Sequence, residues 1–442
     1  MLKKTTKLLA GVLSAVMLTG CGGAAASSEA GVKTETGFTP ALDQDKAVNL
    51  EMAGFLGNFE ALDQVVNNFN EYYPNVTISY EQNGSDQLAA YLQNNQYVDI
   101  FMTADKNLRY PDQQERYVAE YCEDLKAAGL DLGAVRPEMM ESCSYGGKVL
   151  RLPLGVAVDG MAVNKTLLEK EGLSVPTTYE EFLQTLAALK EKGYAAPIQG
   201  AGKSVYYGLV NGAVLTQMGS DPALLLAVAN GEESAVPTLE AAFSQEQEIL
   251  QKGYTDPAVN DTYPEDNYDG AIMNFLNGDV PFWFCSSEKF SGTKKREAKS
   301  EAFTANPFEY EFCYVPTGDT GIYAYNESWY GFSVNKNSNN KDYALEFMRF
   351  LAQKDQLQTM AQIKGLPSVT DTDTDTRYES LSNTNTIELA YTNTGAIETY
   401  MTGYLEKAAS ALAAGEVSTP EEAAKQYLAD CAEVTAKLAD SQ

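Results

Sequence analysis

Residues 48–55 read VNLEMAGF, residues 76–80 read VTISY and residues 98–103 read VDIFMT. Each is a short apolar run rich in strand-forming side chains, and helical patterns separate them. In the first gap Leu62, Val65, Val66, Phe69 and Tyr72 recur at helical spacing until Pro74 ends the run. In the second gap residues 87–94 carry another helix. Strand, helix, strand, helix, strand at this spacing predicts parallel βαβ units and therefore an α/β domain.

Outward from that stretch, a second α/β set begins after residues 155–164. Its helix spans residues 178–192, with Glu180 and Glu181 in the first turn, where the helix dipole favours anions. Residues 387–437 read as helices. Thr419 followed by Pro420, Glu421 and Glu422 is a helix start with proline at its first position. No fixed-period repeat is visible.

The chain has 442 residues, enough for two or three domains of about 150 residues each. With 27 Tyr, 17 Phe and 44% hydrophobic residues it can fill packed cores, which excludes wholesale disorder. Its net charge of −29 argues against nucleic-acid partners, which require clustered cations. There is no histidine, so Ser-His-Asp and Cys-His catalysis and His-ligated metals are excluded.

Lys3, Lys4 and Lys7 precede an apolar run over residues 8–18, too short to span a bilayer but suited to a signal peptide. It ends in Leu18-Thr19-Gly20-Cys21, which resembles a lipoprotein lipobox. The reading is a signal peptide over 1–20, lipidation at Cys21 and a lipid-anchored flexible linker over 21–45, leaving the mature chain on the outer face of the bacterial cell membrane. Five further cysteines, Cys122, Cys143, Cys285, Cys313 and Cys431, lack metal-ligand spacing. Cys122 with Cys143 is the closest candidate disulfide; otherwise all five are small buried apolar residues. The acidic run from Asp371 to Asp375 lacks the glycine and terminal glutamate of an EF-hand, so no metal or other cofactor is expected.

Four ordered segments resemble the sugar-binding group of extracellular solute-binding proteins of ABC importers. They are FNEYYPNV from Phe69; GKVLRLPL from Gly147, followed by Val163-Asn164-Lys165 and PTTYEEF from Pro176; FLNGDV from Phe275; and GFSVNKNS from Gly331, with ALEF from Ala344 and GLP from Gly365. The resemblance implies a two-lobed periplasmic-binding-protein-like fold, each lobe a sheet flanked by helices, with ligand in a hinged cleft. It places residues 46–157 and 310–352 in the N-terminal lobe and residues 158–309 and 353–442 in the C-terminal lobe. It also implies a monomer that is not an enzyme, captures a carbohydrate and hands it to the transmembrane subunits of a permease. A peptide or other small polar solute is the alternative ligand, and a surface glycoside hydrolase the less favoured alternative function.

Sugars present flat CH faces and rings of hydroxyls, so the site residues should be aromatic platforms, carboxylates and amides. Phe55 and Asn58 lie where the first strand meets its helix; neighbouring Phe59 has a packing role open to it. Asp105 follows the third strand, as a ligand contact or a helix cap. Asp159 sits at the first crossing between lobes, as a cleft carboxylate or a hinge turn with Gly160. Tyr206 and Tyr207 open a helix, and Trp329 and Tyr330 precede Gly331 at a cleft edge. Where the family pattern closes a strand with Gly-x-Trp, this chain has Ser286-Ser287-Glu288. Ser287 or Glu288 then takes the cleft position, and Trp283 falls inside the strand as core.

Overall fold

The computed structural model describes residues 37–57, 60–83, 85–93, 98–103, 116–220, 222–264, 267–318, 327–372, 375–383 and 395–440. The predicted strands and helices of the opening stretch form as β1 (Val48–Gly54), α1 (Glu60–Asn70), β2 (Val76–Gln82), α2 (Ser85–Gln93) and β3 (Ile100–Thr103). After the short helix α3 (Pro137–Ser142) come β4 (Leu152–Ala157), β5 (Asp159–Asn164), α4 (Tyr179–Glu191), β6 (Ile198–Gly200), α5 (Ser204–Ser220) and α6 (Val236–Gln251). The chain continues through β7 (Phe282–Ser286), α7 (Ser287–Ser291), β8 (Tyr310–Cys313), β9 (Glu327–Val334), α8 (Lys341–Leu351) and α9 (Lys354–Lys364). It ends in α10 (Gly395–Ala413) and α11 (Pro420–Asp440).

Two main sheets result. The first has the order β2-β1-β3-β9-β4, in which β1 runs parallel to β2 and β3, and β9 runs antiparallel to β3 and β4. The second has the order β8-β5-β7-β6. Its strands alternate in the way a sheet buried on both faces requires. Phe282 and Phe284 of β7 enter a core with α4, α5, α6, α10 and α11. Trp283 and Cys285 point the other way, into a core with Phe275, Phe290 and Tyr378 that continues beneath the first sheet. A shared core under the crossings makes the inter-lobe connection a packed element.

Local chemistry sets the helix ends. Thr178 caps α4, its side chain accepting from the Glu181 amide, and Thr419 does the same for Glu422 at the start of α11. The Glu422 carboxylate also accepts from the Ser418 amide at 2.7 Å, one residue before the cap, which fixes the chain entering the helix.

Three boundaries differ from expectation. Residues 310–313 belong to the second sheet, because β8 pairs with β5 through Tyr310↔Asn164 and Cys313↔Met161. The chain therefore returns to the first sheet only between Cys313 and Glu327. Helix α9 stays with the first lobe: Leu357, Met360 and Ala361 are buried, and Asn68 of α1 donates to Gln356 Oε1 at 3.0 Å. Residues 38–45, expected as linker, are docked. Phe38 packs edge-on against Tyr72 and Phe350, and the Ala41 amide donates to Glu346 at 2.9 Å. The signal peptide, Cys21 and the start of the linker lie outside the described residues. The five remaining cysteines are free and buried, so Cys122 and Cys143 do not form a disulfide. No described helix is long and apolar enough to cross a membrane.

One core residue contradicts the helical pattern around it. On α6 the buried stripe runs Val236, Leu239, Phe243, Glu246, Ile249, so a glutamate occupies an apolar position. Both Glu246 carboxyl oxygens lack a hydrogen-bond partner. Burial pushes its carboxyl well above the usual carboxylate range, so the folded protein holds it neutral. A folded-state value above the unfolded one means that its contribution is favourable below about pH 4.3 and is lost as pH rises toward the folded value. Glu246→Leu is therefore expected to raise stability by about 1–3 kcal/mol at pH 8, and less at pH 5. Urea unfolding at both pH values checks this; a variant no more stable at pH 8 refutes it.

Candidate functional site

The crossing from β4 to β5 puts Asp159 at the first position of the second sheet. Across the ladder it pairs with Ser286, the last residue of β7. The chain then turns into α7, whose first turn carries Glu288. From the other side the first turns of α5 bring Ser204 and Tyr207, and α10 brings Glu406. Together with Lys289 these side chains line a recess of about 220 Å³. Gly160 forms part of its floor: a Cβ there would come 2.4 Å from the Cys313 carbonyl oxygen, so no larger residue fits.

The recess is rich in carboxyl groups. Asp159 keeps one face open, yet the surrounding protein raises its carboxyl above the usual range; the Tyr207 hydroxyl and the Lys289 charge oppose the shift. Asn211 Nδ2 also donates to Asp159 Oδ2, at 3.4 Å. Burial pushes Glu288 up to about 7, and the neighbouring Asp159 charge adds to the effect. Against it work the Ser286 hydroxyl, donating to Glu288 Oε2 at 3.1 Å, and Lys289. Such a surface can hold polyhydroxylated groups through paired hydrogen bonds, with the half-buried Tyr207 ring as a flank. Among the described residues no group of three His, Cys, Asp or Glu side chains is arranged to hold a metal ion.

Three of the expected site residues, Asp159, Tyr207 and Glu288, thus meet in one recess. Three others are corrected. Tyr206 is buried in the second-lobe core, because neighbouring helical residues point about 100° apart and only one of the tyrosine pair can face the recess. Ser287 is fully buried and acts as a staple: its hydroxyl donates to the Val156 carbonyl at 3.0 Å and accepts from the Val158 amide at 3.1 Å. It binds the crossing to α7, which leaves its hydroxyl no role toward a ligand. Tyr330 is fully buried, lying where a Cβ on Gly155 would approach its ring to 2.6 Å.

Phe55 and Trp329 lie at the end of the first sheet where β1, β3 and β4 finish, the edge at which α/β sheets hold ligands. Both are half-buried against the first-lobe core, and neither lines the recess. Trp329 occupies an irregularity of the β9–β4 ladder, whose register slips between Ser328 and Tyr330. Asn58 and Asp105, with Phe59, lie outside the described residues. Sequence reasoning missed Ser204, Ser286, Lys289 and Glu406. Ser286 and Lys289 flank residues already singled out at a strand end. Glu406 sits in the middle of a helix far along the chain and gives no local signal.

Comparison with known proteins agrees with this architecture. A binding protein from Bacillus subtilis, solved in an open conformation, superposes with a TM-score of 0.66 at 16% identity, covering 90% of this chain and 100% of that one. A sugar transporter protein from Bacillus licheniformis, solved with stachyose, superposes with a TM-score of 0.61 at 18% identity, covering 87% of this chain and 100% of that one. In sequence, the melibiose/raffinose/stachyose-binding protein MelE of Bacillus subtilis strain 168 is 38% identical over 58 residues. That match spans 13% of this chain and 14% of MelE. The sequence model of the bacterial extracellular solute-binding proteins matches residues 55–358, from the end of β1 through both sheets to α9, and the chain belongs to that family.

Proposed function

We propose that the protein captures an oligosaccharide outside the cell, in the cleft beside the β4–β5 crossing, and delivers it unaltered to the transmembrane subunits of an ABC permease. The observation that carries this reading is the recess in which Asp159, Tyr207, Glu288 and Glu406 meet at the hinge of a solute-binding fold. Carboxyls paired with a tyrosine suit sugar hydroxyls and CH faces, and the similar proteins solved or named with stachyose and raffinose support the ligand class. Phe55, Trp329, Asn58 and Asp105 would complete the site from the first lobe. A panel of raffinose, stachyose, maltotriose and xylotriose, followed by thermal melting, tests the reading. One class at 100 times its Kd should stabilise the protein by about 2.7 kcal/mol, with no cleavage product. Steady product release overturns the binder reading, and no shift with any glycan overturns the ligand class.

The chain is held at the outer membrane face by lipid on Cys21, after removal of residues 1–20. Cys21→Ser is expected to release a folded protein into the medium, because a lipidated cysteine anchors without spanning. Fractionation of cells producing the variant reads this out; retention at the membrane refutes it.

A further inference from the structure

The hydroxyl donors of the recess are committed to the protein. The Ser204 hydroxyl donates to the Ala201 carbonyl at 2.6 Å, the Ser286 hydroxyl to Glu288, and the Tyr207 hydroxyl to Asp159. Lys289 Nζ lies 6.0 Å from the Tyr268 ring centroid. Apart from the Lys289 ammonium and the Cys285 thiol, the remaining side chains are carboxyls, which only accept when ionised. A glycoside brings ring and bridge oxygens that also only accept, so an ionised recess offers them little beyond the Lys289 ammonium among its side chains. The two central carboxyls differ in their support. Asp159 receives Tyr207 and Asn211, whereas Glu288 receives Ser286 alone among the described residues.

We propose that Glu288 meets the ligand as the neutral acid, donating its proton to a sugar oxygen while Asp159 remains the acceptor, so that capture is coupled to the uptake of one proton. This rests on the oligosaccharide reading above. The groups facing Glu288 are Asp159 from β5, Tyr207 from α5, Cys285 from β7, Lys289 from α7 and Glu406 from α10. Burial raises the Cys285 thiol, which stays neutral, and β4 brings no charge to α7. The basic turn after α7 is spent elsewhere: Lys294 pairs with Glu297, Lys295 with Glu60 and Arg296 with Asp269. The excess around Glu288 is thus negative, and ionising it beside Asp159 is opposed both by burial and by like charge. The pair shares its titration, with Glu288 carrying the step at about 7.

Two measurements test the proposal. In protein labelled with ¹³C at the glutamate carboxyls, one resonance should titrate near neutral pH and vanish in Glu288→Gln, or in Glu288→Met should the amide variant not fold. Calorimetric titration with raffinose and stachyose, at pH 6 and pH 8.5 in phosphate and in Tris, should show about 30-fold weaker binding at the higher pH, with proton uptake, as one protonation at about 7 requires. The slope in Glu288→Gln should fall below about 3-fold, whatever its absolute affinity. Binding that is level with pH, proton release, or no carboxyl resonance that titrates above pH 6 and is lost with the Glu288 substitution overturns this proposal and leaves the capture reading standing. A titrating Glu288 with no oligosaccharide bound at either pH overturns the capture reading, and this proposal with it.

Discussion

Replacing Trp283 by alanine is expected to lower the free energy of unfolding by about 3–5 kcal/mol, because the largest side chain of the second sheet leaves a cavity that its neighbours cannot close. Trp283 is 1% exposed in the middle of β7, paired with Ala162 of β5 on one side and Gln199 of β6 on the other. Its ring lies 5.7 Å from that of Phe275, whose other neighbours are the edge-on rings of Phe308 and Tyr310. Strands on both sides and aromatics beneath hold the site open, so relaxation recovers little. One feature works the other way: the indole Nε1 is buried without a partner. Trp283→Phe removes that orphan donor along with part of the ring, and is expected to cost about 1–3 kcal/mol less than the alanine change. Trp329, half-buried at the sheet edge, should behave oppositely. Trp329→Ala is expected to keep the fold and weaken ligand binding by about 1–3 kcal/mol, or about 5- to 150-fold, as loss of a stacking platform does. Thermal melting and calorimetric titration of both variants separate the roles. If Trp283→Ala melts normally and loses the ligand while Trp329→Ala does the reverse, the placement of core and cleft is wrong.

The two tryptophans also mark how far the sequence could be read. Hydrophobic period and propensity located β1, β2 and β3 within a few residues, because each strand's composition is local information. The antiparallel insertion of β9 between β3 and β4, and the pairing of β8 with β5, are contacts between distant segments that no window of sequence contains. The misplaced lobe boundaries follow from that. Residues 310–313 look like any strand, and only the partner decides which sheet takes them. The site shows the same division at smaller scale. Position after a strand or crossing put Asp159, Tyr207 and Glu288 among the candidates, and all three line one recess. It was not enough to choose between neighbours, because residues adjacent in a strand or helix face different ways. Tyr206, Ser287 and Tyr330 each lie one residue from a residue with the predicted exposure, and each is turned into the protein. Glu406 needed the tertiary packing of α10 on α5, which nothing around residue 406 encodes.

Arg151 carries the second large effect, and it shows how the first-lobe wall is held. The residue precedes β4 in the GKVLRLPL segment and is fully buried. Its guanidinium fans out to Cys143 Sγ at 3.5 Å through Nε, to the Thr103 carbonyl at 3.3 Å through Nη1, and to the Ser142 and Ser328 carbonyls at 2.9 and 3.2 Å through Nη2. These acceptors come from the end of α3, the end of β3 and the stretch of β9 beside Trp329, so one side chain ties three elements at that edge of the first sheet. Gly331 makes room for it, since a Cβ there would lie 2.6 Å from Arg151 Cγ. Lysine cannot replace the planar fork, because a single ammonium on a flexible stem reaches fewer of these acceptors at once. Methionine fills the volume but leaves the carbonyls unmatched, each a penalty of about 1–3 kcal/mol, partly offset because a cation is no longer buried. Arg151→Met is therefore expected to destabilise the protein by about 2–5 kcal/mol, seen as a lower urea midpoint at unchanged slope. Ligand affinity should fall with it at temperatures where the variant stays folded, because Thr103 ends β3 and Ser328 adjoins Trp329. An unchanged midpoint would show that water replaces the guanidinium at all three carbonyls, and that the edge holds its shape without Arg151.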